Sequence, residues 1–392
     1  MTMRTGDGAY IKQLNRGLIL QEIIKNGKIS RADLSKRTSL NKATISVQVA
    51  DLLEEDLIYE SREEHNTIGR RPIMLGINNS CGYILGIDID TPKIQFAVAD
   101  LSGIIVEDWS MPNETTDYST IVEQLIGQII ACQQRYVEST YGLISVNIGV
   151  HGTVNVDHTI DFIPKLGWKD KDLKGDLAAQ LNIEVTVGNN ANFSAYAENV
   201  YHHQSDSLLN MSLTSGVGIG VIIEEKLHTG FSGHAGEVGH MILYPEGKEC
   251  PCGNRGCLEL YASEPAFLTH LAANLNKPDL TMTEVKQFIK NQDETTLTLL
   301  DIFLDNVTIG LNNIIHLHNP KIIVLNSELL SFCPETISKI ENRLHSTFIN
   351  YHEIVLSSLG GQAAVMGGCA IGLQHFFNIS KLDLYRPPMK QI

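Results

Sequence analysis

The sequence predicts an α/β chain built as two units, residues 1–80 and residues 81–392, and three observations carry that reading. Positive charge is concentrated at the N-terminal end; apolar residues there recur at helical spacing and then switch to a hairpin pattern; and from Gly82 onward strand-length apolar runs alternate with helical ones. At 392 residues the chain is long enough for two or three domains, each with its own core. A composition of 43% hydrophobic and 19% charged residues is that of a globular protein. No stretch approaches ~18 uninterrupted apolar residues, so no membrane partner is expected. The N-terminus lacks the basic-then-apolar pattern of an export signal, which makes the cytoplasm the expected compartment.

Net charge is −15, which on its own argues against a nucleic-acid partner. Its distribution argues the other way: residues 1–50 hold nine Lys or Arg against Asp7, Glu22 and Asp33, so 9 − 3 = +6. A chain with one basic end and an acidic remainder binds phosphate at that end and is repelled elsewhere. Within the basic segment, Ile11, Leu14, Leu18, Leu20, Ile23 and Ile24 read as a helix stopped by Asn26-Gly27. Ser30 caps a second, short helix containing Ala32, Leu34 and Thr38, and Ser39-Leu40 make the turn. Asn41 caps a third, with Ile45, Val49, Leu52 and Leu53 on its apolar side and Lys42, Ala43, Thr44, Ser46 and Gln48 expected to be free. Small and polar residues at the start of the second helix of such a pair allow close approach to base edges in the major groove.

Leu57-Ile58-Tyr59-Glu60 and Ile73 to Ile77 then read as two strands around the polar loop Ser61 to Pro72. This completes a winged helix-turn-helix, and Arg70 and Arg71 in the wing suit phosphate or a narrow minor groove. Double-stranded operator DNA is the expected partner, read by a homodimer or higher homo-oligomer; a three-helix protein-interaction module is the alternative.

From Gly82 two apolar strands, Tyr83 to Asp90 and Ile94 to Leu101, precede a third around Gly103 to Val106. An apolar strand ending in Asp at a turn is how actin-like ATPase and sugar-kinase folds (ribonuclease H-like) open, with the acid on magnesium and the turn near phosphate. Here the turn is Asp90-Thr91-Pro92, which adds a negative charge and removes an amide donor where glycines would let phosphate approach. Nucleotide binding is therefore expected to be weakened.

The strongest chemical signal is Gly236-Glu237-Val238-Gly239-His240 followed by Cys250-Pro251-Cys252 and Cys257. Three thiolates and an imidazole form a closed tetrahedral set for one zinc ion per chain, a structural site because no coordination position stays open.

This segment, with Thr214 to Gly220 and Gly188-Asn189-Asn190-Ala191-Asn192, resembles the ROK family of repressors and sugar kinases. The resemblance covers nearly the whole chain, through Gly310 to Asn313, Asn319 to Leu325 and Ser358 to Gly368. Within the family, the reader followed by Gly69-Arg70-Arg71-Pro72 most resembles the xylose-responsive repressors. The resemblance implies a two-lobed domain over 81–392 with a sugar between the lobes. Asn189, Asn190, Glu237, Glu259 and His240 would contact the sugar, His240 using one ring nitrogen for it and the other for zinc. Glu237 and Glu259 could instead brace the zinc loop.

Several positions depart from the family pattern. Asn190 stands where the kinases have the Asp that takes a proton from the attacking hydroxyl, and an amide has no such proton affinity, so no catalytic residue is expected. Lys165 replaces an Asn that contacts the sugar; its cation could meet an anionic ligand or point to solvent. His151 replaces a common Pro, and Asn326-Ser327-Glu328 replace glycines near adenine. Gly216, Gly218 and Gly220 suit phosphate or tight strand packing equally. The expected function is a sugar-responsive repressor without kinase activity, xylose being the leading sugar. The alternatives are a glucose-type repressor controlled by a phosphotransfer-system protein, or a residual sugar kinase carrying a reader.

Overall fold

The computed structural model describes residues 8–62 and 72–385. The first helix, α1 (Gly8–Asn26), ends at Gly27, whose φ of 68° takes the chain out of the helix and into β1 (Lys28–Ser30). Ser30 Oγ accepts from Asp33 N at 3.1 Å to start α2 (Arg31–Thr38), and Asn41 Oδ1 accepts from Thr44 N at 2.9 Å to start α3 (Lys42–Glu54). The three helices bury Ile19, Leu20, Ile23, Leu34, Ile45, Val49 and Leu52 against one another. Strands β2 (Ile58–Arg62) and β3 (Ile73–Ile77) pair antiparallel as the expected wing, and β1 adds a third strand on β3 that the sequence did not announce. Arg70 and Arg71, expected at the wing tip, lie outside the described residues.

Two five-stranded sheets follow, and they share one topology. The first lobe runs β4 (Tyr83–Ile89), β5 (Lys93–Asp100), β6 (Ile105–Pro112), α4 (Tyr118–Arg135) and β7 (Leu143–Val150). It continues with a small sheet of β8 (Thr153–Val154), β9 (Ile160–Ile163) and β10 (Trp168–Lys171), then α5 (Leu173–Ala178) and β11 (Glu184–Asn189). After α6 (Asn190–Glu198), the second lobe runs β12 (Ser207–Ser212), β13 (Gly218–Ile223), β14 (Lys226–Leu227), α7 (Glu259–Ala262), α8 (Glu264–Leu275), α9 (Met282–Lys290) and α10 (Glu294–His318). It closes with β15 (Ile322–Asn326), α11 (Glu328–Ser331), α12 (Thr336–Glu341) and β16 (Glu353–Leu356) before the last helix, α13 (Ala363–Phe377). The sheet orders are β11-β7-β4-β5-β6 and β14-β13-β12-β15-β16, each an antiparallel three-strand meander extended by two parallel strands on its first member. Parallel strands of this kind are buried on both faces, which is why Ile84 to Ile87 and Ile322 to Leu325 read as continuous apolar runs.

Helices α6 and α13 pack across each other between the sheets, and the crossing is close because it is built on glycine. A Cβ on Gly86 would lie 2.0 Å from the Val365 carbonyl oxygen, and one on Gly367 would lie 1.9 Å from that of Phe193. Beyond α13 the chain returns to the N-terminal unit. Leu382 and Leu384 enter the same apolar cluster as the α1–α3 core, Lys25 Nζ lies 3.5 Å from Asp383 Oδ2, and the Tyr141 hydroxyl donates to the Glu55 carbonyl at 2.7 Å. One continuous core therefore joins the reader to α13 and to the sheets of both lobes. Among the described residues no helix is long and apolar enough to cross a membrane.

Alanine at Gly86 or Gly367 is expected to destabilise the chain by about 1–3 kcal/mol or more through overpacking. Alanine at Gly127, exposed in α4 with open space around a Cβ, should stabilise it by about 1 kcal/mol. Urea denaturation of the three variants checks the contrast.

Candidate functional site

At the start of α3, Lys42, Ala43 and Ser46 are exposed and Thr44 is half-buried. Ser46 Oγ donates back to the Lys42 carbonyl at 2.9 Å. Gln48 differs from expectation. It is 3% exposed, its Oε1 has no partner, and Val47, 57% exposed, takes the outward position instead. Helical geometry explains the swap, because residues 45, 48, 49 and 52 fall on one face at steps of three and four and that face packs on α1 and α2.

The cysteine cluster forms as the spacing implied. The ligand atoms of His240, Cys250, Cys252 and Cys257 all lie within 4.8 Å of one another. Cys252 Sγ to Cys257 Sγ is 3.7 Å, and Cys250 Sγ to His240 Nδ1 is 3.6 Å. Zinc bonded tetrahedrally at about 2.3 Å to sulfur and about 2.0 Å to nitrogen requires edges of roughly 3.8 and 3.6 Å, so these residues fit that ion. The loop reaches this shape through Gly253 and Gly256, with φ of 95° and 76°. Because Nδ1 of His240 faces the sulfurs, the other ring nitrogen is left for the cavity that His240 also lines.

That cavity, about 280 Å³, lies between the lobes and brings together all six residues expected at the sugar, Lys165, Asn189, Asn190, Glu237, His240 and Glu259. Their engagement differs. Asn189 is the N-cap of α6: its Oδ1 accepts from Ala191 N and Asn192 N at 2.9 and 3.1 Å, and its Nδ2 donates to the Gly152 carbonyl at 3.0 Å. Its amide is thus largely committed to the backbone. Glu259 Oε2 accepts from Val217 N at 3.1 Å, which fixes the glycine loop after β12. Burial raises the Glu237 carboxyl above its ordinary range. Lys165 lines the cavity with its cation paired: its Nζ lies 3.3 Å from Asp90 Oδ1, on the turn after β4.

His151 is the residue whose role the sequence did not show, although its standing in place of a common Pro marked it as unusual. Its side chain is only 13% exposed, and Nε2 lies 3.1 and 3.2 Å from the two Asp88 carboxylate oxygens. On the other side Nδ1 meets the Ser215 hydroxyl of the second lobe, the Asn190 amide at 3.2 Å and Asp90 Oδ2 at 3.7 Å. Burial pushes the imidazole pKa down. The charge and hydrogen bond of Asp88 and the charge of Asp90 outweigh burial and Lys165 together, so it stands above its ordinary 6.5. The imidazole links the lobes from within the cleft.

Residues 84–375 match the ROK family and residues 14–59 match a winged helix-turn-helix DNA-binding domain. The chain belongs to the ROK family. A xylose repressor of Bacillus subtilis (strain 168) is 37% identical over 383 residues, covering 96% of this chain and 99% of that protein. The crystal structure of a ROK family transcriptional regulator, a homolog of the E. coli Mlc protein, shares the fold across 94% of this chain and 97% of its own, with TM-score 0.80 at 24% identity. A ROK glucokinase from Streptomyces griseus, in complex with glucose and AMPPNP, covers 74% of this chain and 99% of its own with TM-score 0.67 at 23% identity, and lacks a counterpart to the rest. This chain thus carries a winged helix-turn-helix reader on a sugar-kinase-like body.

A histidine whose pKa is higher folded than unfolded binds its proton more tightly in the native state. Its stabilisation is complete below about 6.5 and is lost as pH rises through the folded value. Wild-type unfolding free energy relative to His151→Gln is therefore expected to fall as pH rises above about 6.5. A difference that stays constant from acid to mildly alkaline pH, in paired urea titrations, would contradict the Asp88–His151 pairing.

Proposed function

We propose that the chain is a transcriptional repressor that binds a palindromic operator as a dimer and is released when a sugar, xylose first, occupies the 280 Å³ cavity. The observation that carries this is the joining of a helix-turn-helix reader and an interlobe cavity by one core, in a chain 37% identical along its length to a xylose repressor. Residues 1–80 are the reader and 81–392 the sensor. Lys42, Ala43, Thr44 and Ser46 meet the major groove, Arg70 and Arg71 meet backbone or minor groove, and Gln48 serves the reader's core instead of the DNA.

At the sugar, the free oxygen of Glu259, the Glu237 carboxyl, the outward nitrogen of His240 and the Asn190 amide supply acceptors and donors that match ring hydroxyls in pairs. Asn189 contributes by holding the start of α6, and Lys165 by positioning Asp90. His240, Cys250, Cys252 and Cys257 would hold one zinc ion, which when bound supplies a four-coordinate closure of the loop behind Glu237 and Glu259. These four protein donors leave no position for substrate, so the metal's part is structural.

Kinase turnover is not part of this reading. Asn190 cannot accept a proton, and His151, the nearest alternative base, is held toward its protonated form by Asp88 and Asp90. A reading as a residual kinase rests on a fold shared with sugar kinases such as the glucokinase, and on no residue of this cleft.

Xylose titrated into an operator gel shift is expected to release the DNA, and Glu259→Gln to weaken that release by about tenfold or more with operator affinity retained. No release by xylose, glucose or N-acetylglucosamine would defeat the sensor reading. Lys42→Ala should lower the salt slope of operator binding by about one unit. Metal analysis of the freshly purified protein should find about one zinc per chain, falling in Cys252→Ser.

A further inference from the structure

A second, larger cavity of about 540 Å³ opens beside the first, lined by the Asp90 turn and by Asn326, Ser327 and Glu328. His151, Lys165, Asn190, Ser212 and Ser215 line both cavities, so the two are adjoining parts of one cleft separated only by this waist. The proposed sugar site leaves the larger part without a task.

Its walls are ill suited to a nucleotide. Asp88, Asp90, Glu264 and Glu328 face it against Lys93, Lys165 and His151, so it holds no surplus of positive charge to draw a polyphosphate. Asp90 itself occupies the turn where phosphate would approach, its Oδ1 taken by Thr91 N at 2.8 Å and by Lys165. No aromatic ring lines the space, and its apolar contributors are Pro92, Pro265, Leu359 and Ala364, too few and too scattered to sandwich a base. The remaining lining is hydroxyl and amide, from Ser212, Thr214, Ser358, Gln95 and Asn326 among others. Groups of that kind, with carboxylates as strong acceptors, match an uncharged molecule carrying many hydroxyls. Pockets that enclose a whole organic ligand run to roughly 300–1,000 Å³. The inner cavity falls just below that range at about 280 Å³, room for one sugar ring, and the two together lie well inside it.

We infer that the two cavities form one extended carbohydrate site, in which the larger cavity is a second sugar subsite and the full effector is an oligosaccharide of at least two rings. The inference rests on the sugar-sensor reading above and deepens it. One ring lies against Glu237, His240 and Glu259, the glycosidic bond crosses the waist at His151 and Ser215, and the next ring lies against the hydroxyl-lined wall. Occupying both parts bridges the lobes over a longer span than a single ring does, because Gln95 and Asp90 belong to the first lobe and Thr214, Asn326 and Ser358 to the second.

Gly361 gives a clean way to close the outer subsite. It lines the larger cavity alone, a Cβ there meets nothing within 4 Å, and its backbone lies outside the left-handed region, so Gly361→Trp fills the outer space without touching the inner one. Calorimetric titration of the full-length protein with xylose and with xylobiose, before and after this substitution, tests the inference. Xylobiose is expected to bind at least about tenfold more tightly than xylose to the wild type. In Gly361→Trp, xylobiose should fall to the level of xylose while xylose is unchanged. Xylose binding with xylobiose no tighter, an advantage that survives Gly361→Trp, or Mg-ATP displacing xylobiose would each overturn the second subsite and leave the sensor reading standing. Absence of binding by both sugars would overturn the inference together with the reading beneath it.

Discussion

Where α13 crosses β4 and α6, backbone lies against backbone with no side chain between. The Val365 carbonyl sits where a Cβ of Gly86 would be, and the Phe193 carbonyl where a Cβ of Gly367 would be. Much of the molecule depends on that contact. Helix α6 begins at Asn190 on the wall of the cleft, and α13 ends beside the segment whose Leu382 and Leu384 pack with the reader's core. A close-packed interior of this kind transmits displacement instead of absorbing it. In the proposed repressor, a change in how the lobes close would be carried through α6 and α13 to α1, and from α1 to the helix α3 that packs on it. For a two-fold reader whose half-sites recur every ~10.5 base pairs, a small rotation of each recognition helix is enough to lose register with the groove.

The charges in the cleft explain how the departures from the kinase pattern fit together. Asp90, Lys165, His151 and Asn190 each look like isolated substitutions along the chain, yet in space they are neighbours of one another and of Asp88. The cation that would be unusual beside a neutral sugar is answered by a carboxylate that would be unusual beside a phosphate. Burying such pairs costs about as much in desolvation as their attraction returns, so their value lies less in stability than in fixing one arrangement of the lobes. His151 is central because it reaches from Asp88 in the first lobe to Ser215 in the second.

What the sequence made legible was local. The caps at Ser30 and Asn41, the stop at Gly27, the wing strands and the Cys250–Cys257 loop each depend on residues within a few positions of each other, and each formed as expected. The six sugar-site candidates were also gathered into one cavity, since the family motifs that name them sit at strand ends and helix starts. The misses were partnerships across long separations. Lys165 with Asp90 and His151 with Asp88 lie 75 and 63 residues apart, and no spacing announces them. Gln48 was misplaced because polarity suggested the surface while helical phase assigned the core. Asn189 was read by its amide chemistry, whereas its place immediately before α6 commits that amide to the helix's first turn. Strand β1 escaped notice because three residues carry no periodicity.

Hydrogen exchange of the full-length protein with and without saturating sugar tests the coupling most directly. If the lobes drive the reader through the continuous core, ligand should slow exchange at α6 and the cleft loops and also alter it in α13, in residues 378–385 and in α1. Protection confined to the cleft, with α1 and residues 378–385 exchanging at the same rates, would contradict a mechanical link between the sugar cavity and the DNA-reading helices.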